Sequence, residues 1–351
     1  MQLIRLGRTE LMVSRIGFGG LPIQRLSEDQ AVDVVRRCLD LGVNLIDTAN
    51  SYTNSESRIG KAIQGRRQDV ILATKTAAQD CQLAREHLNL SLQRLGVEYL
   101  DLYQFHNVAN FGAYERILGP GGAMEAFEEG VSQGKIHHIG LTTHSPDVAM
   151  QAVRSGLFET LMFPFNLVEA EPADVLVPLA RALDVGFIAM KPFAGGMLER
   201  ADLAVKYLMQ FPSVVPIPGV QKVAEVEEII AIAEGPTLLS PAEMAEIESI
   251  RHECGTQFCR RCQYCMPCEQ GVPITPIMIM PTSWKRLPPE TFFEWFGEAG
   301  AKAQDCIECG ECEQRCPYHL PIREKIRANR AFYEEKLQAY QEQQARGNSC
   351  H

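Results

Sequence analysis

The stretch Val43-Asn44-Leu45-Ile46-Asp47-Thr48-Ala49-Asn50-Ser51-Tyr52 decides how the rest of this chain is read. Its mostly apolar start, Val43 to Ile46, has the length and composition of a buried strand. The run stops abruptly at an acid, small polar residues and a tyrosine. Where parallel strands close into a barrel, chemistry is done at their C-terminal ends. Asp47 and Tyr52 would share one such loop. Alone, they read as readily as a turn-forming acid and a rim tyrosine. Two later strand ends change that reading. Leu72-Ala73-Thr74-Lys75 closes on a lysine, and Leu102-Tyr103-Gln104-Phe105-His106 closes on a histidine.

Working outward, the same alternation repeats on both sides. Strands are expected at 15–18, 43–46, 70–74, 99–105, 136–142, 160–163, 187–190 and 214–217. Helical spacing fits between them at 28–41, 56–64, 85–95, 123–133, 146–154, 173–183, 201–210 and 223–233. Ser27, with Gln30 three residues on, is a capping-box start for the first helix. Residues 1–15 alternate like a hairpin. Eight strand–helix units in roughly 220 residues give the arithmetic of a (β/α)8 TIM barrel. A doubly wound sheet would carry a complete glycine fingerprint after its first strand. Gly17-Phe18-Gly19-Gly20-Leu21-Pro22 does not complete it. The expected domains are therefore a barrel over 1–235, a linker with a short helix over 236–254, a small cysteine-rich and mainly helical domain over 255–325, and a C-terminal helix and tail over 326–351. Cys350 and His351 read as part of a frayed end.

Composition sets the outer bounds. The 351 residues are 46% hydrophobic and 22% charged, enough to bury a sizeable core. A formal net charge of -10 argues against nucleic acid or an anionic membrane as partner. The first twenty residues hold no basic stretch followed by an apolar core, and no run reaches membrane-spanning length. A cytoplasmic protein is expected. Twelve cysteines are many for such a protein, and nine of them lie between Cys254 and Cys316. Tight spacing without an export signal reads as metal or cluster binding before disulfides.

Asp47, Tyr52, Lys75 and His106, in this order on consecutive strands, resemble the catalytic tetrad of the aldo-keto reductases. The resemblance covers about residues 1–235 and implies an oxidoreductase that interconverts a small-molecule carbonyl and an alcohol. Carbonyl reduction needs an acid for the forming alkoxide. A phenol with a pKa of ~10 is a poor one until a neighbouring ammonium stabilises its phenolate. Tyr52 is thus the proton donor, Lys75 its tuner, and Asp47 the carboxylate that holds Lys75. His106 positions the carbonyl or assists proton transfer. For the dinucleotide, the resemblance points to Thr142, Asn166, Lys191 and the segment Pro218, Gly219, Gln221, Lys222 and Glu225. Many members carry Ser-Asn, Gln and an aromatic where this chain has Thr142-Thr143, Met162 and Met190. Glu225 would repel a 2′-phosphate and accept from a ribose hydroxyl, so the reading for NAD(P)H leans to NADH, with a flavin still open. Phe105, Phe111, Tyr114 and Phe163 are candidates for an apolar pocket or for barrel packing.

Cys306-x2-Cys309-x2-Cys312-x3-Cys316-Pro317 is the bacterial ferredoxin run. Cys259-x2-Cys262-x2-Cys265-x2-Cys268 is a near copy, one residue shorter before its fourth cysteine. Together they resemble a dicluster ferredoxin, which implies two [4Fe-4S] clusters. Cys259, Cys262 and Cys265 would share one with Cys316; Cys306, Cys309 and Cys312 would share the other with Cys268. Zinc is the competing reading of CxxC pairs, but it has no need of three cysteines in register plus a fourth, twice over. The whole chain resembles a subgroup of barrel reductases with a fused iron–sulfur domain. Such a protein would relay electrons to or from a ferredoxin or another one-electron carrier. A plain NAD(P)H carbonyl reductase with structural clusters, and a non-catalytic electron-transfer or redox-sensing module, are the alternatives.

Overall fold

The computed structural model describes the backbone of residues 1–348 and the side chains of residues 1–345. Cys350 and His351 lie outside the described residues. The chain divides into two compact units, Met1–Ile247 and the residues from Glu248 onward.

The first unit opens with a hairpin, β1 (Leu3–Arg5) against β2 (Met12–Ser14). Eight parallel strands follow: β3 (Phe18–Gly19), β4 (Leu45–Asp47), β5 (Ile71–Thr76), β6 (Leu100–Phe105), β7 (Ile136–Thr142), β8 (Thr160–Pro164), β9 (Gly186–Met190) and β10 (Val214–Ile217). They are hydrogen-bonded in sequence order. Closure comes from the amides of Gly17 and Gly19, which donate to Pro216 O and Pro218 O, each at 2.9 Å. The two edges approach so closely that a Cβ on Gly19 would lie 2.9 Å from Ile217 O. Only glycine fits there.

The helices are α1 (Glu28–Asp40), α2 (Ser55–Ala62), α3 (Cys81–Leu95), α4 (Phe111–Leu118), α5 (Ala123–Ser132), α6 (Pro146–Ser155), α7 (Leu176–Ala182), α8 (Ala201–Met209) and α9 (Val223–Glu234). Ser27 and Gln30 form the expected reciprocal cap on α1. The expected first strand at 15–18 is displaced to Phe18–Gly19; the backbone N–H of Arg15 instead donates to Gln2 O, and its guanidinium binds the carbonyls of Val214 and Phe211. Helix α4 lies outside the expected helices; Asn110 caps it, its side chain accepting from the amide of Ala113, and Tyr114 and Ile117 form its buried face. The barrel interior is apolar. Leu6 and Val13 of the hairpin join Leu45, Ala73, Leu102, Met162, Ile188, Val215 and Ile217 in one buried cluster. Each such large side chain contributes about 1.5–3 kcal/mol on burial, and the hairpin supplies the floor.

Phe105 points the other way. It stacks on Phe127 of α5 with ring centres 4.0 Å apart, so it packs helix against strand. Tyr114 is buried edge-on to Phe158.

The boundary of the second unit falls within α10 (Pro241–Gly255). Beyond it the unit holds α11 (Ile274–Trp284), α12 (Pro289–Lys302), the short α13 (Glu311–Gln314) and the long α14 (Ile322–Asn348). It is mainly helical, as expected. Its core is aromatic: Phe292 is fully buried and stacks on Phe296 at 5.0 Å, with Trp284 edge-on to it. Helix α14 is anchored by Tyr333, whose ring lies over Gly300. A Cβ at Gly300 would come within 2.5 Å of that ring. Among the described residues no helix is long and apolar enough to cross a membrane.

Candidate active site

The parallel register brings the chemistry-bearing side chains to one end of the barrel. Asp47 is the last residue of β4, Lys75 lies opposite Gln104 between β5 and β6, and His106 directly follows β6. Because side chains alternate along a strand, Gln104 and His106 share one side while Phe105 faces the other. Tyr52 stands on the loop that joins β4 to α2.

The Lys75 ammonium donates to Asp47 Oδ2 at 2.6 Å and to Thr48 O at 2.5 Å. Both side chains are almost wholly buried. Burial pushes the Asp47 carboxyl up and the Lys75 ammonium down, and their mutual attraction opposes both shifts. The ammonium lies 5.3 Å from the centre of the Tyr52 ring. His106 meets that ring edge-on at 5.6 Å, and its Nδ1 is 3.4 Å from Ser51 Oγ. Burial, reinforced by the charges of Lys75 and Lys191, pushes the His106 imidazole down to about 3. The ring is therefore neutral near pH 7. A neutral imidazole can orient a carbonyl by hydrogen bonding without being a strong acid itself. The four sequence-identified residues thus converge.

Gln104 was missed by the sequence reading. Its Nε2 donates to Asp47 Oδ1 at 3.2 Å, holding the second carboxylate oxygen. The available signal was a polar residue two positions before His106, on the same face of an otherwise buried strand. His144 was missed too. It follows β7 and joins Lys191 to Asn107: Lys191 Nζ contacts His144 Nε2, and His144 Nδ1 lies 3.1 Å from Asn107 Oδ1.

The residues expected to face a dinucleotide are spread more widely. Thr142 Oγ1 accepts from the amide of Asn107 at 2.7 Å. Asn166 is fully buried and shapes its own loop, accepting from the amides of Val168 and Glu169 and donating to Glu169 Oε2 and Lys191 O. Pro218 and Gly219 lie in the seam that closes the barrel. Glu225 Oε2 accepts from the amides of Gln221 at 2.8 Å and Lys222 at 3.2 Å. The start of α9 therefore already carries a carboxylate of its own.

In the second unit the two cysteine runs interleave. Burial raises the thiols of Cys259, Cys262 and Cys265, the last to about 12, and Cys316 raises each of them further through its charge. Such coupling puts Cys316 within electrostatic reach of the first three cysteines of the other run. Cys306, Cys309 and Cys312 line one cavity together with Cys268. Arg315, adjacent to Cys316, ties the runs by donating to Pro267 O at 3.0 Å. All eight are free thiols. Cys312 and Cys316 are buried, Cys309 is exposed and the other five are partly exposed; four thiolates brought together would repel one another unless a cationic centre compensated them, a chemistry that an iron–sulfur cluster offers.

Comparison with known proteins agrees with the barrel. Residues 15–202 match the model of the aldo/keto reductase family. The uncharacterised oxidoreductase YqkF of Bacillus subtilis is 31% identical over 213 residues, 57% of this chain and 67% of that protein. L-galactose dehydrogenase of Arabidopsis thaliana is 30% identical over 218 residues, covering 56% and 67%. Among solved structures, an aldo-keto reductase of Bacillus halodurans in its holo form aligns with a TM-score of 0.62 at 26% identity, over 71% of this chain and 96% of that one. An aldo-keto reductase of Klebsiella pneumoniae in complex with NADPH shares the fold, with a TM-score of 0.62 at 23% identity over 71% and 95%.

Proposed function

The chain belongs to the aldo/keto reductase family and is an oxidoreductase, and from that premise we propose that it interconverts a small-molecule carbonyl and its alcohol. In this reading Tyr52 is the general acid/base, and two [4Fe-4S] clusters pass electrons to or from a redox partner. The observation that carries the first part is the ammonium of Lys75, held 2.6 Å from Asp47 and 5.3 Å from the Tyr52 ring, with the side chains of the Lys75–Asp47 pair almost wholly buried.

A buried cation beside a phenol favours the phenolate, and more strongly where water is excluded. In the reducing direction, the Tyr52 hydroxyl gives its proton to the oxygen that becomes the alkoxide. The phenolate left behind is stabilised by Lys75. In the oxidising direction the same phenolate takes the alcohol proton. Asp47, itself held by Gln104, and the carbonyl of Thr48 hold Lys75 in place, and neutral His106 orients the carbonyl oxygen. A nicotinamide dinucleotide, when bound, supplies or accepts the hydride.

The NADPH of the Klebsiella pneumoniae relative is a precedent for that cofactor class. Pro218, Gly219, Gln221 and Lys222 would border the nucleotide, with Thr142 and Asn166 shaping the nicotinamide end. Glu225, already on the two amides that lead into α9, suits the hydroxyls of NADH better than the extra phosphate of NADPH. The cluster reading is supported by the interleaved cysteines. Cys259, Cys262, Cys265 and Cys316 would hold one cluster, and Cys268, Cys306, Cys309 and Cys312 the other. Clusters of this kind, when bound, store single electrons.

The test is an anaerobic titration of iron-reconstituted protein with NADH and, separately, NADPH, followed by absorbance and electron paramagnetic resonance. Bleaching of the cluster signal by NADH is expected. In parallel, Tyr52→Phe should lower carbonyl turnover by about a hundredfold to ten-thousandfold. Unchanged turnover would remove Tyr52 from the mechanism. Turnover without bleaching would leave the clusters as scaffolding.

A further inference from the structure

We propose that Glu56 and Arg94 are positioning residues for the reaction: together they clamp the loop of Tyr52 at both ends and hold it to the strand that carries Lys75. The proposal rests on the reading of Tyr52 and Lys75 as the reacting pair.

The clamp is one guanidinium with two partners. Arg94 Nη1, in the last turn of α3, donates to Asn50 O at 3.0 Å and to Glu56 Oε2 at 3.4 Å. Asn50 stands two residues before Tyr52, and Glu56, in the first turn of α2, four residues after it. A single side chain thus closes the segment that presents the phenol. Within that segment the Tyr52 amide donates to Ala49 O at 2.9 Å, and the Ser55 amide to Tyr52 O at 2.7 Å. At its start the Asn50 amide donates to Lys75 O at 2.9 Å, and Asn50 Nδ2 to Ser91 Oγ of α3 at 3.2 Å.

The other carboxylate oxygen ties the clamp to β5. Thr74 Oγ1 donates to Glu56 Oε1 at 2.7 Å. Neighbouring side chains of a strand face opposite ways, so Thr74 meets α2 on one side of β5 while Lys75 meets Asp47 on the other. Gly60, one turn beyond Glu56, lets α2 come so near α3 that a Cβ there would lie 2.8 Å from Arg94 O. Backbone packing therefore sets how far Glu56 stands from Arg94.

Burial distinguishes this contact from a surface ion pair. Glu56 is 1% exposed. A buried charge needs a partner, yet a buried pair adds little net stability. What it does fix is geometry, and displacing a reacting group by about 1 Å can cost about a hundredfold in rate. The Glu56 charge also bears on the site. Lys75 is faced by Asp47 of β4, Tyr52 of the loop, His106 beyond β6 and Glu56 of α2. Burial lowers its ammonium, and the charges of Asp47 and Glu56 oppose that effect. Around Glu56 itself stand Arg94 and His87 of α3 and Tyr103 of β6.

The test measures benzaldehyde reduction with NADH and NADPH, nucleotide dissociation constants, and the ultraviolet titration of the Tyr52 phenol, each protein read against its own Tyr52→Phe counterpart. Arg94→Met should lower kcat about tenfold to a hundredfold, with KM and nucleotide binding nearly unchanged. Arg94→Lys should recover part of the loss, because both contacts come from one nitrogen. Glu56→Gln keeps an acceptor for Thr74 and loses the charge, so the Lys75–Tyr52 pair gives up its first proton more readily. The basic limb of kcat/KM should then move down by about one pH unit, which a purely structural role would not produce. An Arg94→Met enzyme with wild-type kcat would overturn the proposal, as would an unmoved limb in Glu56→Gln. Where Arg94→Met does not fold, Arg94→Lys and Glu56→Gln carry the test. If wild type does not reduce benzaldehyde, the redox reading fails on its own and the phenol titration decides the clamp. A Tyr52 midpoint raised in Arg94→Met, as the phenol leaves Lys75, supports it, and equal midpoints overturn it.

Discussion

Lys75 and Asp47 meet at 2.6 Å with side chains only 2% and 5% exposed. A pair so placed is two things at once, a device that tunes Tyr52 and a burden on the fold. Its attraction must offset the cost of removing two charges from water. Thr48 O and Gln104 Nε2 take up part of that cost by engaging the ammonium and the second carboxylate oxygen.

Removing one partner should therefore hurt more than removing both. Lys75→Met or Asp47→Asn alone is expected to cost about 3–5 kcal/mol, because one buried group is left uncompensated. The double variant Asp47→Leu/Lys75→Met should recover part of that loss. Native-state hydrogen exchange across β4, β5 and β6 reads the effect where it arises. Equal protection in single and double variants would refute the coupling.

His106 gives the fold an acid-sensitive element. Its imidazole is pushed down to about 3 by burial and by Lys75 and Lys191, whereas an unfolded histidine titrates near ~6.5. Between those values the unfolded chain binds a proton that the native chain does not, so stability is full above the unfolded value and is lost as pH falls toward 3. His106→Gln should flatten this dependence. Unfolding midpoints at pH 7.5 and pH 5.0 should differ more in wild type than in the variant.

The interleaved cysteines make a prediction about cluster occupancy. Cys316→Ala should remove the cluster held with Cys259, Cys262 and Cys265, and Cys268→Ala the one held with Cys306, Cys309 and Cys312. Each single variant should then retain about four of about eight irons per chain after anaerobic reconstitution. The two variants should leave different paramagnetic signals. Identical residual signals would mean that each run holds its own cluster.

Glu225 should govern nucleotide choice. Its carboxylate rests on the amides of Gln221 and Lys222, where it opposes a second negative group. Glu225→Gln removes the charge and keeps an oxygen acceptor for the two amides. The ratio of NADPH to NADH affinity should rise about tenfold, the effect of roughly 1.4 kcal/mol. Fluorescence titration with each nucleotide measures it. An unchanged ratio would remove Glu225 from the choice.

Much of this site was legible in the linear chain because its determinants are local. Strand and helix periods depend on neighbouring residues, so β4, β5 and β6 and their ends at Asp47, Lys75 and His106 followed from short windows of sequence. The cysteine spacings were local in the same sense. They did not show that Cys316 lies within electrostatic reach of Cys265, but resemblance to the ferredoxin run supplied that expectation.

What the sequence by itself determined, then, is the alternation that makes a barrel, the strand ends that carry Asp47, Tyr52, Lys75 and His106, and the two cysteine runs. Tertiary structure alone decided the partners. Gln104 binds Asp47 only because β4 and β6 flank β5 with side chains turned to the same side. Asn107, His144 and Lys191 are far apart in the chain, and only barrel closure brings the ends of β6, β7 and β9 within reach of one another. Glu225 shows the same limit: its sequence position suggested a nucleotide contact, and folding gave it the amides of Gln221 and Lys222. The physical reason is that backbone periodicity is set by neighbours along the chain, whereas a side chain takes its partner from whatever the closed barrel places opposite it.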